Sequence, residues 1–456
     1  MIKKESVIIY LLIGATFFIF MDAYTVFGIP VSWLGQVLLT SIALIEFRNY
    51  RHFFTDKLFV SCTFLLLIPQ LYLLLNNTYL EADLIYVTLR YFNIISFVIV
   101  LAFITYFCDK TESNKGAIIK KLELFCIYFS LIVVYIFVAQ IFDFYEPIRS
   151  RANTNLFGDS AQSIFWLSQP HRAMGTFREP SFLITFFYPV VLLVAKSFKK
   201  TNILFCLLTG LALGLTRSDY ARFFSIIIFI VFIYSFYKER KANLNLASLL
   251  LSIFIFSTFG VLECNLNPDS IECSEYKNDV EKINQSGKLK IKSNDASSVV
   301  DIGNERLSVL SYFYNSFNDL RPNGLSNVNQ NFQSFESEEI NKEMYLTNRT
   351  VPSYLLTRYS AQNFGTGNYS ILKYEINVQN IVVFYTQAFG VMFIFLIFIL
   401  FVDFITRHQL SVSTMFFLII VVFFAIGPIE ELNAYYGLVV GLAYSLFIRE
   451  QIHEKI

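Results

Sequence analysis

The chain is 456 residues long, with 55% hydrophobic residues, 51 phenylalanines and only 16% charged residues; its mean hydropathy is +0.53. Such a composition excludes an ordinary soluble domain and reads as a polytopic membrane protein. A net charge of +1 gives no ground for a nucleic-acid partner, and what matters here is where the charges fall.

Lys3 and Lys4 precede the first apolar run. The pair resembles the start of a signal peptide, but no small-residue cleavage site follows and more apolar runs do, so the segment is expected to be an uncleaved first span. Apolar runs at 7–20, 31–45, 58–75, 85–107, 122–142, 181–197, 203–216, 223–237, 246–262, 381–402, 411–427 and 434–448 follow in order. The expected fold is therefore an all-α polytopic membrane protein with about 12 transmembrane helices. Several runs are shorter than the roughly 20 residues of a comfortable span, and cross only if flanking polar positions are drawn in or the bilayer thins. Arg90 falls inside the fourth run, where snorkelling or pairing with Asp83 would accommodate it.

The basic residues set the orientation. Lys3 and Lys4, Arg48 with Arg51 and Lys57, Lys110 with Lys115, Lys120 and Lys121, Lys196 with Lys199 and Lys200, Lys238 with Arg240 and Lys241, and Arg449 with Lys455 all fall on one side. That side is expected to be the cytoplasm, with both chain ends in it. Three parts result: residues 1–262, with about nine spans and an arginine-rich outer loop at 143–180; a large outer loop at 263–379; and residues 380–456, with the last three spans.

Exceptions to the rule lie on the outer side and are chemically uniform: Arg149, Arg151, Arg172 and Arg178 in one loop, Arg217 and Arg222 in another. A guanidinium is a planar, permanently charged fork suited to phosphate, so the pattern points to an anionic ligand. Contact with lipid headgroups, or ion pairs with Asp159 and Asp219, is the plainer explanation. One stretch stands out, His171-Arg-Ala-Met-Gly-Thr-Phe-Arg-Glu-Pro-Ser181. Pro180 suits the first turn of a helix, which places Arg178 and Glu179 at its mouth, where free backbone N–H groups favour anions. Glu179 as a simple helix cap is the competing reading.

In the large outer loop Cys264 and Cys273 are disulfide candidates in an oxidising compartment, whereas Cys62, Cys108, Cys126 and Cys206 lie in or beside spans. Residues 284–300 read as a linker. Leu307, Leu310, Tyr314 and Phe317 recur at helical spacing with Arg306 near the helix start, and Asn323-Gly324 is a turn signal. A further helix is expected from Pro352 to Phe364, with Thr350 as cap, Arg358 on its surface and Gly365 as stop. The four histidines are scattered over loops on both sides, so no metal cluster is expected from spacing. Gly210 and Gly214 form a small-xxx-small pair, expected to pack helices closely.

The segments Arg172 to Ser181, Leu215-Thr-Arg-Ser-Asp-Tyr-Ala-Arg222, the large late loop, Gly367 to Asn380 and Gln387-Ala-Phe-Gly390, in that order, resemble the bacterial O-antigen polymerases of the Wzy type. The resemblance covers roughly Arg172 to Gly390. It implies a metal-independent glycosyltransferase without cofactor at the periplasmic face of the inner membrane, joining undecaprenyl-pyrophosphate-linked repeat units by block transfer. Its partners would be the lipid-linked donor and acceptor, the bilayer and a chain-length regulator protein. On this reading Arg172 and Arg217 stabilise the pyrophosphate as it leaves, Glu179 takes the acceptor proton with Asp219 behind it, and Arg178, Arg222 and Arg306 bind substrate.

Related O-antigen ligases carry a histidine in the late outer loop, and residues 263–379 hold none. An arginine followed eleven positions later by glycine, a pattern of some polymerases, is absent after both Arg172 and Arg306. A ligase or another lipid-linked-glycan transferase remains an alternative. So does a flippase for lipid-linked oligosaccharides, although the large loop and the lack of two-fold repetition of hydropathy argue against transport.

Overall fold

The computed structural model describes residues 4–26, 29–75, 84–110, 112–142, 172–198, 202–239, 243–266, 380–408, 411–427 and 432–449, together with positions 357, 360 and 365. Outside these residues lie Arg149, Arg151, Arg306, Cys273, the linker at 284–300, the helix expected around Leu307 to Phe317, and most of the helix expected from Pro352 to Phe364. Of that last helix Thr357 and Ser360 are helical, and Gly365 has φ of +82°, a left-handed conformation suited to a helix stop.

The described residues are mainly helical. In order come α1 (Lys4–Ile19), a two-residue antiparallel pair β1 (Thr25–Val26) and β2 (Ile29–Pro30), α2 (Val31–Ile45), α3 (Phe47–Tyr50) with a 3-10 turn Arg51–Thr55, α4 (Lys57–Leu75), α5 (Leu84–Lys110) and α6 (Glu112–Phe142). Then follow α7 (Pro180–Ser197), α8 (Ile203–Gly214), α9 (Asp219–Glu239), α10 (Leu244–Leu266), α11 (Ile381–Phe389), α12 (Val391–Arg407), α13 (Val412–Ile426) and α14 (Ala434–Tyr444), the last continued by a π turn at Ser445–Arg449.

Each apolar run in the sequence is helical, but length separates them. Among the described residues four stretches are long and apolar enough to cross a bilayer alone: Tyr91–Lys110, Ser113–Ala139, Pro180–Ser197 and Tyr220–Lys238. Val31–Ile45 with Phe47–Thr55 makes a fifth if that pair, bent by 67°, is one span. The run at 381–402 is not one continuous helix. Gly390, with φ of +61°, separates α11 from α12, and its N–H closes on the Thr386 carbonyl.

Contacts divide the chain into two units: Met1–Asp56, Tyr91–Leu262 and Phe404–Ile456 in one, Lys57–Arg90 and Glu263–Asp403 in the other. In the second, α11 packs on α4. Asn380 caps α11 by accepting from the Val383 N–H at 2.8 Å, and the Gln387 amide donates to Thr357 at 3.0 Å.

The first unit is built around close helix pairs. A Cβ at Gly35 of α2 would lie 2.5 Å from the Ala15 carbonyl of α1, and one at Gly437 of α14 would lie 2.4 Å from the Phe97 carbonyl of α5. Gly210 and Gly214 act as their spacing predicts: added Cβ atoms would meet Ser252 at 2.5 Å and Phe256 at 2.8 Å, both on α10. At the centre the ring of Phe20, fully buried, meets Phe125 and Phe129 of α6, Phe177 of the segment before α7, Phe186 and Phe187 of α7 itself, and Tyr435 of α14 edge-to-face. This geometry sets the positive edge of one ring against the negative face of the next and is worth about 0.5–1.5 kcal/mol per pair beyond area burial. Phe177 belongs to the arginine-rich stretch, so the hub fixes that stretch to the core.

Candidate functional site

The segment between Arg172 and Arg178 is a plug in the protein interior. Ala173, Met174, Gly175, Thr176 and Phe177 are all buried, while Arg172 is half-buried and Arg178 exposed. Its backbone is tied on two sides. The Ala23 N–H donates to the Thr176 carbonyl at 3.0 Å, and the Thr176 hydroxyl donates to the Phe20 carbonyl, which joins the plug to the end of α1. The Ala173 N–H donates to the Leu215 carbonyl at 2.9 Å, which joins it to the end of α8. Gly175 makes the turn possible. Its φ is +56°, and a Cβ there would stand 2.8 Å from Val133 of α6.

This scaffold brings together two of the arginine segments seen in the sequence. Arg172 Nε donates to the Thr216 carbonyl at 3.0 Å, so the side chain lies against the residue that precedes Arg217. Arg217 itself has φ of +49°, uncommon for a residue with a Cβ, and its N–H donates to the Gly214 carbonyl at 3.0 Å as α8 ends. Thr216 supports the turn: its hydroxyl donates to the Leu213 carbonyl and accepts from the Ser218 N–H. Such a left-handed residue persists where its surroundings over-determine it, and the bonds on both sides of Arg217 do so.

Pro180 is the first residue of α7 and Glu179 its N-cap, as the spacing predicts. The cap itself is not made. The Glu179 side chain accepts no bond from the backbone N–H groups of the first turn, and its carboxylate accepts instead from the Ser181 hydroxyl at 3.2 Å. Arg178 is matched by a residue that sequence reasoning passed over. Its Nε donates to Asp22 Oδ2 at 2.8 Å and its Nη2 lies 3.4 Å from Oδ1, with the guanidinium also over the Phe182 ring. Asp22 sits just beyond α1, 156 positions away in sequence, so only the fold pairs them.

Arg222 is placed differently. It lies in the first turn of α9 and donates to the Ser257 carbonyl of α10 at 3.0 Å, a helix-to-helix tie within the same unit. Asp219 is the first residue of α9. Cys264 is in α10, its side chain and Cys273 lying outside the description, while Cys62, Cys108, Cys126 and Cys206 are free thiols. Two tyrosines add polar groups to the first unit. The Tyr220 hydroxyl donates to the Phe423 carbonyl of α13, and Tyr436, fully buried on α14, has a hydroxyl without a hydrogen-bond partner among the described residues.

No family model, curated protein or solved structure matches the chain.

Proposed function

We propose that the protein is a polymerase of lipid-linked saccharide repeat units, transferring a growing glycan from an undecaprenyl pyrophosphate donor to the terminal hydroxyl of an incoming unit at the outer face of a bacterial inner membrane. The observation that carries this reading is the tether between Arg172 and the Thr216–Arg217 turn, mounted on a buried, hydrogen-bonded plug. Two guanidinium-bearing segments 44 positions apart are joined by backbone and side-chain bonds. An arginine that only touched headgroups would need no such mounting; a group that must meet developing negative charge in a fixed place does.

In this mechanism the acceptor hydroxyl attacks the anomeric carbon of the donor, and the bond from that carbon to the pyrophosphate oxygen breaks. The hydroxyl proton passes to Glu179, and the electron pair leaves with the lipid pyrophosphate, whose charge Arg172 and Arg217 stabilise. Asp22 holds Arg178 in place beside the helix mouth, where Arg178 orients substrate. Arg222 serves the frame. About twelve spans, both chain ends in the cytoplasm and residues 263–379 outside complete the reading. Short helices such as Ile203–Gly214 and Val412–Ile426 then cross with the help of flanking turns.

A deletion strain tests it through its surface polysaccharide. Single repeat units on the final lipid acceptor, without long chains, are expected. Complete loss of the glycan from that acceptor would indicate a ligase, and units trapped on the cytoplasmic side a flippase; either overturns the proposal.

A further inference from the structure

After α2 the chain turns sharply, and the segment from Phe47 to Thr55 leaves the axis of Val31–Ile45 at 67°. The elbow is well made. Tyr50, fully buried, donates from its hydroxyl to the Ala43 carbonyl at 2.8 Å, an acceptor it shares with the Glu46 N–H at 3.1 Å where α2 ends. Its ring packs on Phe47, Phe54 and, from α5, Phe103, with centroids 5.6 Å, 6.2 Å and 5.8 Å away. Glu46, at the corner, is ion-paired with Lys4 at 2.5 Å and accepts from Asn49 at 2.6 Å.

The outer face of this elbow joins two features. Ile45 is 78% exposed and Phe47 39%, and Leu44 is exposed beside them. Arg48 and Arg51, three residues apart and so neighbours on a helical surface, are both exposed. With Glu46 matched by Lys4, neither has an ion-pair partner among the described residues. His52 lies next to Arg51, and Asp56 closes the segment. Continuing as a span would carry both guanidiniums into hydrocarbon, whereas lying flat leaves the apolar side chains at the acyl boundary and the arginines at phosphate level.

We infer that residues 45–55 form an interfacial elbow that binds the headgroup layer of anionic phospholipids, with Ile45 and Phe47 inserted and Arg48 and Arg51 on lipid phosphates. Charge complementarity and direct continuity with an apolar helix make an anionic lipid surface the occupant. This does not depend on the activity proposed above.

The test uses the full chain carrying Phe47→Trp, with Trp33→Phe and Trp166→Phe, in vesicles of phosphatidylcholine and phosphatidylglycerol, with one lipid brominated at a time. Quenching by brominated phosphatidylglycerol is expected to exceed that by brominated phosphatidylcholine at equal mole fraction by at least about threefold. It should be strongest with bromines near the headgroup end. The preference is expected to vanish in Arg48→Gln/Arg51→Gln and to fall with added salt. Equal quenching by both lipids, absence of quenching, or strongest quenching by bromines near the chain ends would each overturn the inference. Phe53→Trp in the same background repeats the measurement if the first variant fails to fold.

Discussion

Arg172→Lys and Arg217→Lys are each expected to shorten or abolish the polymer while single repeat units still reach the surface and the protein stays at normal level. Lysine preserves the charge, so an anchor to headgroups would survive the exchange. It does not preserve the fork. Arg172 holds the Thr216 carbonyl through Nε, and a compact ammonium cannot hold that carbonyl in the same geometry while presenting a planar pair of donors elsewhere. Loss of one charge-assisted hydrogen bond costs about 1.5–3 kcal/mol, roughly a tenfold to hundredfold fall in rate where the contact forms in the transition state. Glu179→Gln is expected to act likewise, because its carboxylate is not spent on capping α7. Chain-length profiles on gels, read beside immunoblots of protein level, check all three; full-length polymer from both lysine variants would reduce these arginines to anchors.

Gly437→Val is expected to cause a large loss of stability. Its Cβ would stand 2.4 Å from the Phe97 carbonyl and 3.0 Å from the Leu101 nitrogen, so backbone faces backbone and no side chain can swing aside. The helices must part, and overpacking of this kind costs about 1–3 kcal/mol or more. Gly14→Ala and Gly116→Ala provide the contrast, since a Cβ at either meets nothing within 4 Å. Those two are expected to be neutral or slightly stabilising, alanine being the better helix former. Thermal unfolding in detergent checks the set: a midpoint for Gly437→Val as high as for the alanine variants would contradict the close α5–α14 approach.

The helices were legible in the sequence because a bilayer asks for long apolar runs, and a run declares itself without knowledge of its neighbours. Breaks and bends were not. At Gly390 hydropathy continues unchanged while the backbone takes φ of +61°, and after Ile45 nothing in the composition announces a 67° turn locked by Tyr50. In the arginine-rich region the helix start at Pro180 was readable from local chemistry, as was close packing at Gly210 and Gly214. What escaped were pairings between distant segments. Asp22 stands 156 positions from Arg178 with no local signal of that partner, and the contact between Arg172 and Thr216 depends on α7 and α8 being folded. Arg222, expected to bind substrate, is directed by the turn of α9 to the Ser257 carbonyl. Gly437 and Gly441 carry the same spacing as Gly210 and Gly214, and the packing of Gly437 on Phe97 is as close.

Chain extension by the purified protein is the most direct measurement. Full-length protein in proteoliposomes, supplied with undecaprenyl-pyrophosphate-linked repeat units and excess chelator, is expected to yield a ladder of products lengthening by whole units, with undecaprenyl pyrophosphate released in step with each bond formed. Recovery of only the input units, or extension that begins only when magnesium or manganese is restored, would contradict a transfer driven by the Arg172 and Arg217 guanidiniums.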